Sequence, residues 1–239
     1  SDVNAVNVFD QFDANGPVHV IDINRSNTFD YQEQISAGYL KYETPLSAQF
    51  SMDMGVKLEN THSTGNLQPR QGSSQSATSV SRNYLNIFPT ASVTYKTSRG
   101  AYNLSYARRV DRPAYNNLNP FSYPVDELSY WKGNPFLQPQ YANTLALQYS
   151  YKRTTISTSY THTSDISSRV TEVFEDDVIY MIPRNIGFQN NLNLTLTQQI
   201  PLAKWWNMSL TGIGYRLESE VGTAEFGNFN RSRFAGRLN

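Results

Sequence analysis

Apolar and polar side chains alternate along most of the chain with a period of two residues, which is typical of β-strands, and helical periodicity is almost absent. The alternation is clearest over 48–59, where Phe50 and Met52 begin a run of apolar residues at every second position. We predict about ten strands. Their approximate ranges are 17–23, 32–43, 48–59, 84–96, 101–111, 139–152, 154–164, 187–200, 205–217 and 228–238. The ninth strand changes the parity of its apolar positions, which predicts a β-bulge near Thr211 and Gly212.

The connections between these strands alternate between short and long. The short connections are predicted at 44–47, 97–100, 152–153 and 201–204. The long connections are predicted at 60–83, 112–138, 164–186 and 218–227. An antiparallel up-and-down transmembrane barrel has this arrangement, with short periplasmic turns on one side and long extracellular loops on the other. A Greek-key sandwich has no reason to sort its loops in this way.

Aromatic residues are concentrated next to the predicted short turns. They are Tyr42, Tyr95, Tyr102, Tyr149, Tyr151, Trp205 and Trp206. Amphipathic rings at one height form the membrane girdle of outer-membrane barrels. The alternative interpretation is the general preference of strands for aromatic residues, which does not explain why so many lie at the same end.

Composition excludes several classes of function. The chain of 239 residues has 20 basic and 20 acidic side chains, and this zero net charge argues against a nucleic-acid partner. There is no cysteine, and the three histidines lack the spacing of a zinc motif. No nucleophile, acid–base or phosphate-binding motif stands out, so we expect neither an enzyme nor a cofactor or metal. Aromatic residues make up 13% of a polar chain, which fits a transmembrane barrel and also fits a secreted β-sandwich.

One acidic cluster offers oxygen ligands that a cation such as Ca²⁺ uses. It consists of Glu172, Glu175, Asp176 and Asp177. We favour the simpler interpretation that it is the polar tip of an exposed hairpin.

The segment 104–152 carries motifs that are specific for a family. They are Arg108-Arg109, Arg112-Pro113, Leu118-Asn119-Pro120-Phe121 and Gly133-Asn134-Pro135, with supporting stretches at 29–39, 84–95 and 203–212. With these motifs the chain resembles the barrel region of TonB-dependent receptors, of the outer-membrane β-barrel family found in Bacteroidetes. The resemblance covers about 29–239.

The resemblance implies a receptor and transporter in the outer membrane of a Gram-negative bacterium. Such receptors have a barrel of about 22 strands around a plug. We therefore expect 1–239 to be a partial barrel domain, a central part of a longer chain, with the plug and the remaining strands outside this sequence. The implied partners are the lipid bilayer, a TonB-type energy transducer acting through the plug, and an unidentified small or oligomeric ligand of the glycan, siderophore or peptide class. Whether a surface lipoprotein caps the barrel is left open.

The segment between the fifth and sixth strands is rich in proline and aromatic residues, so we expect it to pack rather than extend into solvent. Our candidate ligand-binding residues are Tyr115, Tyr123, Tyr130, Trp131 and Asn134. We expect the motif residues to be structural, with the prolines and glycine setting loop geometry and the arginines binding carbonyls or wall carboxylates. These are Arg109, Arg112, Pro113, Asn119, Pro120, Gly133 and Pro135.

Two other architectures stay open at this point. A self-contained barrel of about eight to ten strands would serve as an adhesin, a structural protein or a narrow channel. A soluble secreted β-sandwich that binds glycans would hide the apolar positions of 48–59 in a core.

Overall fold

The computed structural model describes residues 2–7, 10–12, 19–174, 177–203, 205–223 and 227–238, and it is almost entirely β. The strands in chain order are β1 (Asp2–Asn7), β2 (Asp10–Phe12), β3 (His19–Ile21), β4 (Asn27–Pro45), β5 (Phe50–Pro69), β6 (Thr78–Thr97), β7 (Gly100–Asp111), β8 (Ser122–Pro124), β9 (Ser129–Lys132), β10 (Gln140–Tyr151), β11 (Thr154–Val173), β12 (Ile179–Ala203), β13 (Trp206–Thr223) and β14 (Gly227–Leu238). A short 3-10 helix spans Tyr115–Leu118. Within the described ranges, no helix has both the length and the hydrophobicity to cross a bilayer.

Ten of the described strands form one antiparallel wall, in which each strand pairs with the next wall strand along the chain. Their order is β1-β4-β5-β6-β7-β10-β11-β12-β13-β14. This confirms the predicted up-and-down fold class. The first predicted strand, 17–23, is wrong as a wall strand: β3 pairs with β2 in a separate sheet, and residues 17 and 18 lie outside the described residues. The wall strand in its place is β1, which is too short to show alternation.

The wall has one apolar and one polar face because, near the short turns, its register is unbroken from β5 to β12. One transverse row on the apolar face is formed by Met52, Val93, Leu104, Leu147, Thr158 and Leu194. The next row lies on the polar face and is formed by Asp53, Ser92, Ser105, Ala146, Ser159 and Asn193. Side chains alternate between faces along a strand, so the alternating apolar positions of β5, β6, β7, β10 and β12 meet on one side.

The apolar face is exposed rather than packed. Its leucines on β7, β10 and β12 are about half exposed, for example Leu104 at 48%, Leu145 at 50% and Leu194 at 53%. A water-soluble protein rarely exposes an apolar surface this extensive. An apolar surface on the outside of a strand wall, with polar residues on the inside, is the arrangement of a lipid-embedded barrel.

Aromatic rings border the apolar face at two heights. Near the short turns, the rings of Phe50, Tyr95, Tyr102 and Tyr149 form a row with centroid separations of 4.3, 6.3 and 4.7 Å. The Tyr149 hydroxyl donates to the Arg99 carbonyl in the turn between β6 and β7, at 2.7 Å. The second row lies toward the long connections. There the hydroxyls of Tyr106 and Tyr160 donate to the side-chain oxygens of Asn143 and Asn190, each at 2.9 Å.

The long connections are shorter than the sequence predicts because the strands continue beyond the apolar band. Of the predicted loop 60–83, only the residues between Pro69 and Thr78 connect β5 to β6. Most of the predicted loop 164–186 forms the paired ends of β11 and β12. In the extensions of β5 and β6 most residues on both faces are polar, and in those of β11 and β12 apolar residues occur on both faces. In either case the alternation disappears while the backbone ladder persists. Within the predicted loop 60–83, residues 60–69 lie in β5 and residues 78–83 lie in β6.

The predicted β-bulge near Thr211 and Gly212 is wrong. These residues pair in unbroken register with Thr197 and Leu196, and the register of β12 and β13 shifts between Pro201 and Ala203 instead. The change of parity has another cause. Beyond Gly212 the apolar residues of β13 lie on the polar face, where Tyr215 follows Asn193 in its row.

The chain between β7 and β10, residues 112–139, is here called the inserted segment. It contains the short helix, β8 and β9, and it packs on the polar face of the wall at the end away from the short turns. Its Leu118, Phe121 and Leu137 form a buried cluster with Phe29 of β4 and Leu67 of β5. Phe121 and Leu137 are fully buried. The prediction that this segment packs rather than extends is therefore confirmed.

Polar contacts fasten the inserted segment to the wall along its length. The Arg112 guanidinium contacts the Glu59 carboxylate of β5 at 2.6 Å, and Arg82 of β6 donates to the Leu137 carbonyl at 2.6 Å. β9 adds three parallel pairs to the end of β12. Asn185 of β12 exchanges hydrogen bonds with the backbone of Gln138.

Gly133 is required by a close approach of two parts of the inserted segment. Its N–H donates to the Asn119 carbonyl at 3.0 Å. A β-carbon at this position would lie 2.4 Å from the carbonyl oxygen of Asn119 and 2.8 Å from that of Asn117. Both oxygens belong to the backbone, so a side chain here displaces the Asn119 turn.

The apolar face predicts the outcome of placing a charge on it. In the complete protein as its cells make it, Leu194→Arg should destabilise the barrel by about 2–4 kcal/mol, because the arginine lies in the middle of the apolar band. The matched control is Thr195→Arg, whose side chain lies on the polar face. We expect a marked loss of heat-modifiable protein from the membrane fraction for the first variant only. Equal losses for both variants would contradict the assignment of faces.

The close approach at Gly133 predicts a local effect on the inserted segment. Gly133→Ala should raise the rate of proteolytic cleavage within 112–139 about ten-fold in intact cells, since displacing Asn119 loosens the segment by about 1–2 kcal/mol. Gly212→Ala is the control, because a β-carbon at Gly212 meets no atom within 4 Å. Cleavage unchanged by Gly133→Ala would show that the segment tolerates the shift.

Candidate functional site

The inserted segment encloses a cavity of about 310 Å³ against the inner wall, here called the outer cavity. Its lining combines aromatic rings with side-chain amides. The lining residues are Asn7, Phe29, Tyr115, Asn116, Asn119, Tyr123 and Trp131. The structure thus brings together three of the five candidate ligand-binding residues. Rings beside amide donors and acceptors suit a ligand with flat apolar surfaces and several polar groups.

The Tyr123 hydroxyl is the centre of a polar network at the cavity. It accepts hydrogen bonds from the side-chain amides of Asn7, Asn27 and Asn119 at 3.1, 2.9 and 3.0 Å. Burial raises the pKa of Tyr123, and the hydrogen bonds from Asn27 and Asn119 act in the opposite direction. The phenol therefore stays neutral at physiological pH. The network joins the inserted segment to β1 and β4 and holds the Tyr123 ring in place.

Trp131 is held by rings and charge, but its indole N–H is not used. Its ring lies 5.4 Å from the Tyr123 ring, and the Arg169 guanidinium lies 5.6 Å from its centroid. The Nε1 atom is buried and has no hydrogen-bond acceptor among the described residues. A buried donor without an acceptor is costly, and functional sites often contain such groups.

The other two candidates lie elsewhere. Tyr130 stacks on Tyr180 at 5.3 Å and lines a separate surface cleft with Arg25 and Gln75. The side chain of Asn134 donates to the Pro183 carbonyl at 3.1 Å and accepts from the Phe136 N–H at 2.9 Å. Asn134 therefore fastens the inserted segment to β12 rather than lining the outer cavity.

Several of the motif residues contact the wall or the inserted segment. Asn119 accepts from the Phe121 N–H at 3.1 Å, Pro120 lies against the wall, and Gly133 closes on the Asn119 turn. Arg112 binds the wall carboxylate of Glu59. Burial acts to lower the pKa of Arg112, but its hydrogen bonds and charge interactions with Glu59 and Tyr84 outweigh burial and raise the pKa, so Arg112 stays charged.

Arg109 differs from the expectation. It was expected to bind carbonyls or wall carboxylates, yet its exposed side chain makes neither contact among the described residues. Neighbouring Arg108 lies 4.8 Å over the Tyr141 ring, and its Nε atom is buried without a hydrogen-bond acceptor in the described part of the chain. The packing of the inserted segment therefore does not give Arg108 or Arg109 a carboxylate partner among the described residues.

The aromatic residues predicted for the girdle lie close to the short turns. Tyr42, Tyr102 and Trp206 are 57%, 42% and 52% exposed, and Trp205 is 85% exposed. Their contact with lipid stays a prediction. In the acidic cluster, Glu172 is bound by Arg184 through two bonds of 2.7 and 2.9 Å, while residues 175 and 176 lie outside the described residues. The described residues contain no group of carboxylates and histidines suited to a metal.

Sequence reasoning missed the wall residues that fix the inserted segment. Gln75 pairs with both backbone groups of Ser122, each at 2.8 Å, and Arg82 and Asn27 bind the segment from β6 and β4. Gln75 lies in the turn between β5 and β6, and the other two lie in strands. No local pattern distinguishes any of these single polar residues. These residues acquire their partners only when the inserted segment folds back onto the wall.

Two solved structures with a similar fold are those of receptors. The siderophore receptor PiuA from Acinetobacter baumannii superimposes with a TM-score of 0.54 at 14% identity, over 96% of this chain and 36% of that one. The ferric enterobactin receptor PfeA of Pseudomonas aeruginosa gives a TM-score of 0.51 at 12% identity, over 98% of this chain and 46% of that one. The chain thus spans less than half the length of these receptors. None of the curated proteins matches it in sequence.

The family follows from the sequence as a whole, independently of these distant structures. Residues 1–239 match the outer membrane protein beta-barrel family over their full extent. The apolar outer face, the aromatic rows and the polar inner face are the physical counterparts of that match. The chain belongs to the outer membrane protein beta-barrel family and is an integral part of the outer membrane.

Proposed function

We propose that this chain is the ligand-capturing part of a TonB-dependent receptor, which takes up a solute and does no chemistry on it. The observation that carries the proposal is the outer cavity, formed where the inserted segment folds back into the barrel interior. A segment held this firmly presents its aromatic residues in a fixed arrangement, which lowers the entropic cost of binding. In this proposal Tyr115, Tyr123 and Trp131 contact the ligand, and the Trp131 N–H donates to it.

The remaining parts of the receptor belong to the same proposal. A plug and further strands would lie elsewhere in a longer protein, and the plug would receive energy from a TonB-type partner. The two edge strands of the sheet, β1 and β14, are not paired with each other in the described part of the chain. Unpaired strand edges are not tolerated in lipid, which argues against a small closed barrel made of these strands alone. The Bacteroidetes origin stays a prediction.

The two solved relatives named above are described as receptors for siderophores, one of them for ferric enterobactin. These names suggest a ferric chelate as the first ligand to try. The aromatic and amide lining of the outer cavity would equally suit an oligosaccharide or an oligopeptide, so all three classes enter the test.

Uptake by cells tests the proposal. Cells that make the complete protein should accumulate one of three radiolabelled probes, ferric enterobactin, maltohexaose or a hexapeptide, and a proton uncoupler should abolish this accumulation. Trp131→Ala should reduce uptake at least ten-fold, because a buried aromatic contact of this kind is worth about 2 kcal/mol or more. Phe136→Ala is the matched control, since Phe136 is exposed on the same segment outside the outer cavity. Uptake that is unaffected by Trp131→Ala, with normal amounts of folded protein, would refute the role of the outer cavity.

The size of the native protein tests the proposal that further domains exist. The intact mass of the protein extracted by detergent from outer membranes should be several times 27.1 kDa. A mass near 27 kDa would exclude a plug in the same chain and would favour a small closed barrel.

A further inference from the structure

A second cavity lies deeper on the polar face, between the inserted segment and the short turns, and is here called the deep cavity. It has a volume of about 490 Å³. It forms where two wall strands separate: pairing of β6 with β7 ends at Thr90 and Ala107, although both strands continue. Beyond that point β6 stays with β5 and β7 stays with β10. The gap between them leaves room that side chains fill only in part.

Basic side chains dominate the lining of the deep cavity. The cations are Lys41, Lys57, Arg108, Arg109 and Arg112, and Glu59 is the one acidic residue among the described lining residues. Lys57 and Arg112 both contact the Glu59 carboxylate, and Lys41 pairs with Glu43 and Asp53 beside the cavity. Arg108 and Arg109 are left without a carboxylate among the described residues, so the deep cavity keeps an excess of positive charge.

Unused hydrogen-bond donors accompany the excess charge. The Nε atoms of Arg108 and Arg112 are both buried without an acceptor among the described residues. The Arg109 guanidinium has all its donors free in the same part of the chain. Buried guanidinium donors are strongly disfavoured unless an acceptor reaches them. An oxyanion in the deep cavity would offer an acceptor to the Arg109 donors and neutralise part of the excess charge.

The surroundings of the cations add an apolar contact. Tyr39 is 83% exposed and lies on the polar face, opposite Lys57 in the register of β4 and β5. Phe88 of β6 forms a buried part of the lining. A tyrosine ring standing free beside several cations suits a solute that combines an anionic group with a flat body.

We propose that the deep cavity binds the oxyanion group, carboxylate or phosphate, of a solute that has passed the outer cavity, with Arg109 as the principal cation and Tyr39 as the surface for the body of the solute. The inference rests on the proposed uptake function, because it is the traffic of solute that would bring an anion to this depth. It restricts the ligand to anionic compounds, which the outer cavity alone does not.

Direct binding tests this inference without transport. The complete protein, purified in a non-ionic detergent, is dialysed to equilibrium against radiolabelled phenyl phosphate, benzoate or benzyl alcohol. We expect saturable binding of the two anions and none of the alcohol, with affinity that falls as NaCl is raised. Arg109→Gln should weaken anion binding about ten-fold, because one charge-assisted interaction is lost while no contact of the folded wall changes. Arg153→Gln, in the short turn after β10, should leave it unchanged.

Further variants separate the two parts of the site. Tyr39→Ala should weaken the binding of phenyl phosphate several-fold and leave the binding of inorganic phosphate unchanged, since inorganic phosphate has no ring. Phenyl phosphate bound more tightly than benzoate would favour a phosphorylated solute, and the reverse order would favour a carboxylate. Absence of saturable anion binding, or equal binding by wild type and Arg109→Gln, would overturn the proposal. Anion binding without energised uptake would support the deep cavity while refuting the transport function, and uptake without anion binding would do the opposite.

Discussion

The continuous antiparallel ladder from β4 to β13 is the constraint on which the rest of the structure depends. In a bilayer, each backbone N–H and C=O must find its partner within the protein, because lipid offers none. The ladder meets this requirement and, because its register is unbroken across most wall strands, it also sorts side chains. Every second residue faces outward, and a slip of one residue in any strand would turn its leucines toward the interior. The apolar face and the polar interior are therefore one consequence of the hydrogen-bond register.

The ladder is interrupted where the two cavities lie. β6 and β7 part above Thr90 and Ala107, and the inserted segment leaves the wall at the end of β7 and returns to it at β10. The freed backbone is satisfied by other means, through β9 on β12, through Arg82 and through Asn185. These replacements lie on the polar side, away from lipid, where side chains can serve as partners. Both cavities border chain segments that have left the ladder.

The two cavities differ in chemistry because they border different parts of the wall. The outer cavity is lined by the inserted segment and by β1 and β4, whose side chains there are aromatic or amide. The deep cavity borders the strands that carry lysine and glutamate, and the double arginine lies in the last residues of β7. A solute moving inward would meet neutral rings and amides first and cations second. Such an order would select by shape before charge.

The sequence by itself determined the features that depend on local patterns, and the tertiary structure decided those that depend on contacts between distant residues. The period of two along β5, β10 and β12, the short turns and the proline-rich segment are local patterns, so the fold class, the strands within the apolar band and the packing of the inserted segment could be predicted. The strand extensions could not, because residues of the same kind on both faces, mostly polar in β5 and β6 and partly apolar in β11 and β12, leave no alternation to detect. The outer cavity was half predictable: Tyr115, Tyr123 and Trp131 are conspicuous aromatic residues of one segment, whereas Asn7, Asn27 and Arg82 are ordinary polar residues whose partners lie far away in the chain. Arg109 shows the limit most clearly, since only the separation of β6 from β7, a property of the tertiary structure, leaves that guanidinium free beside a cavity.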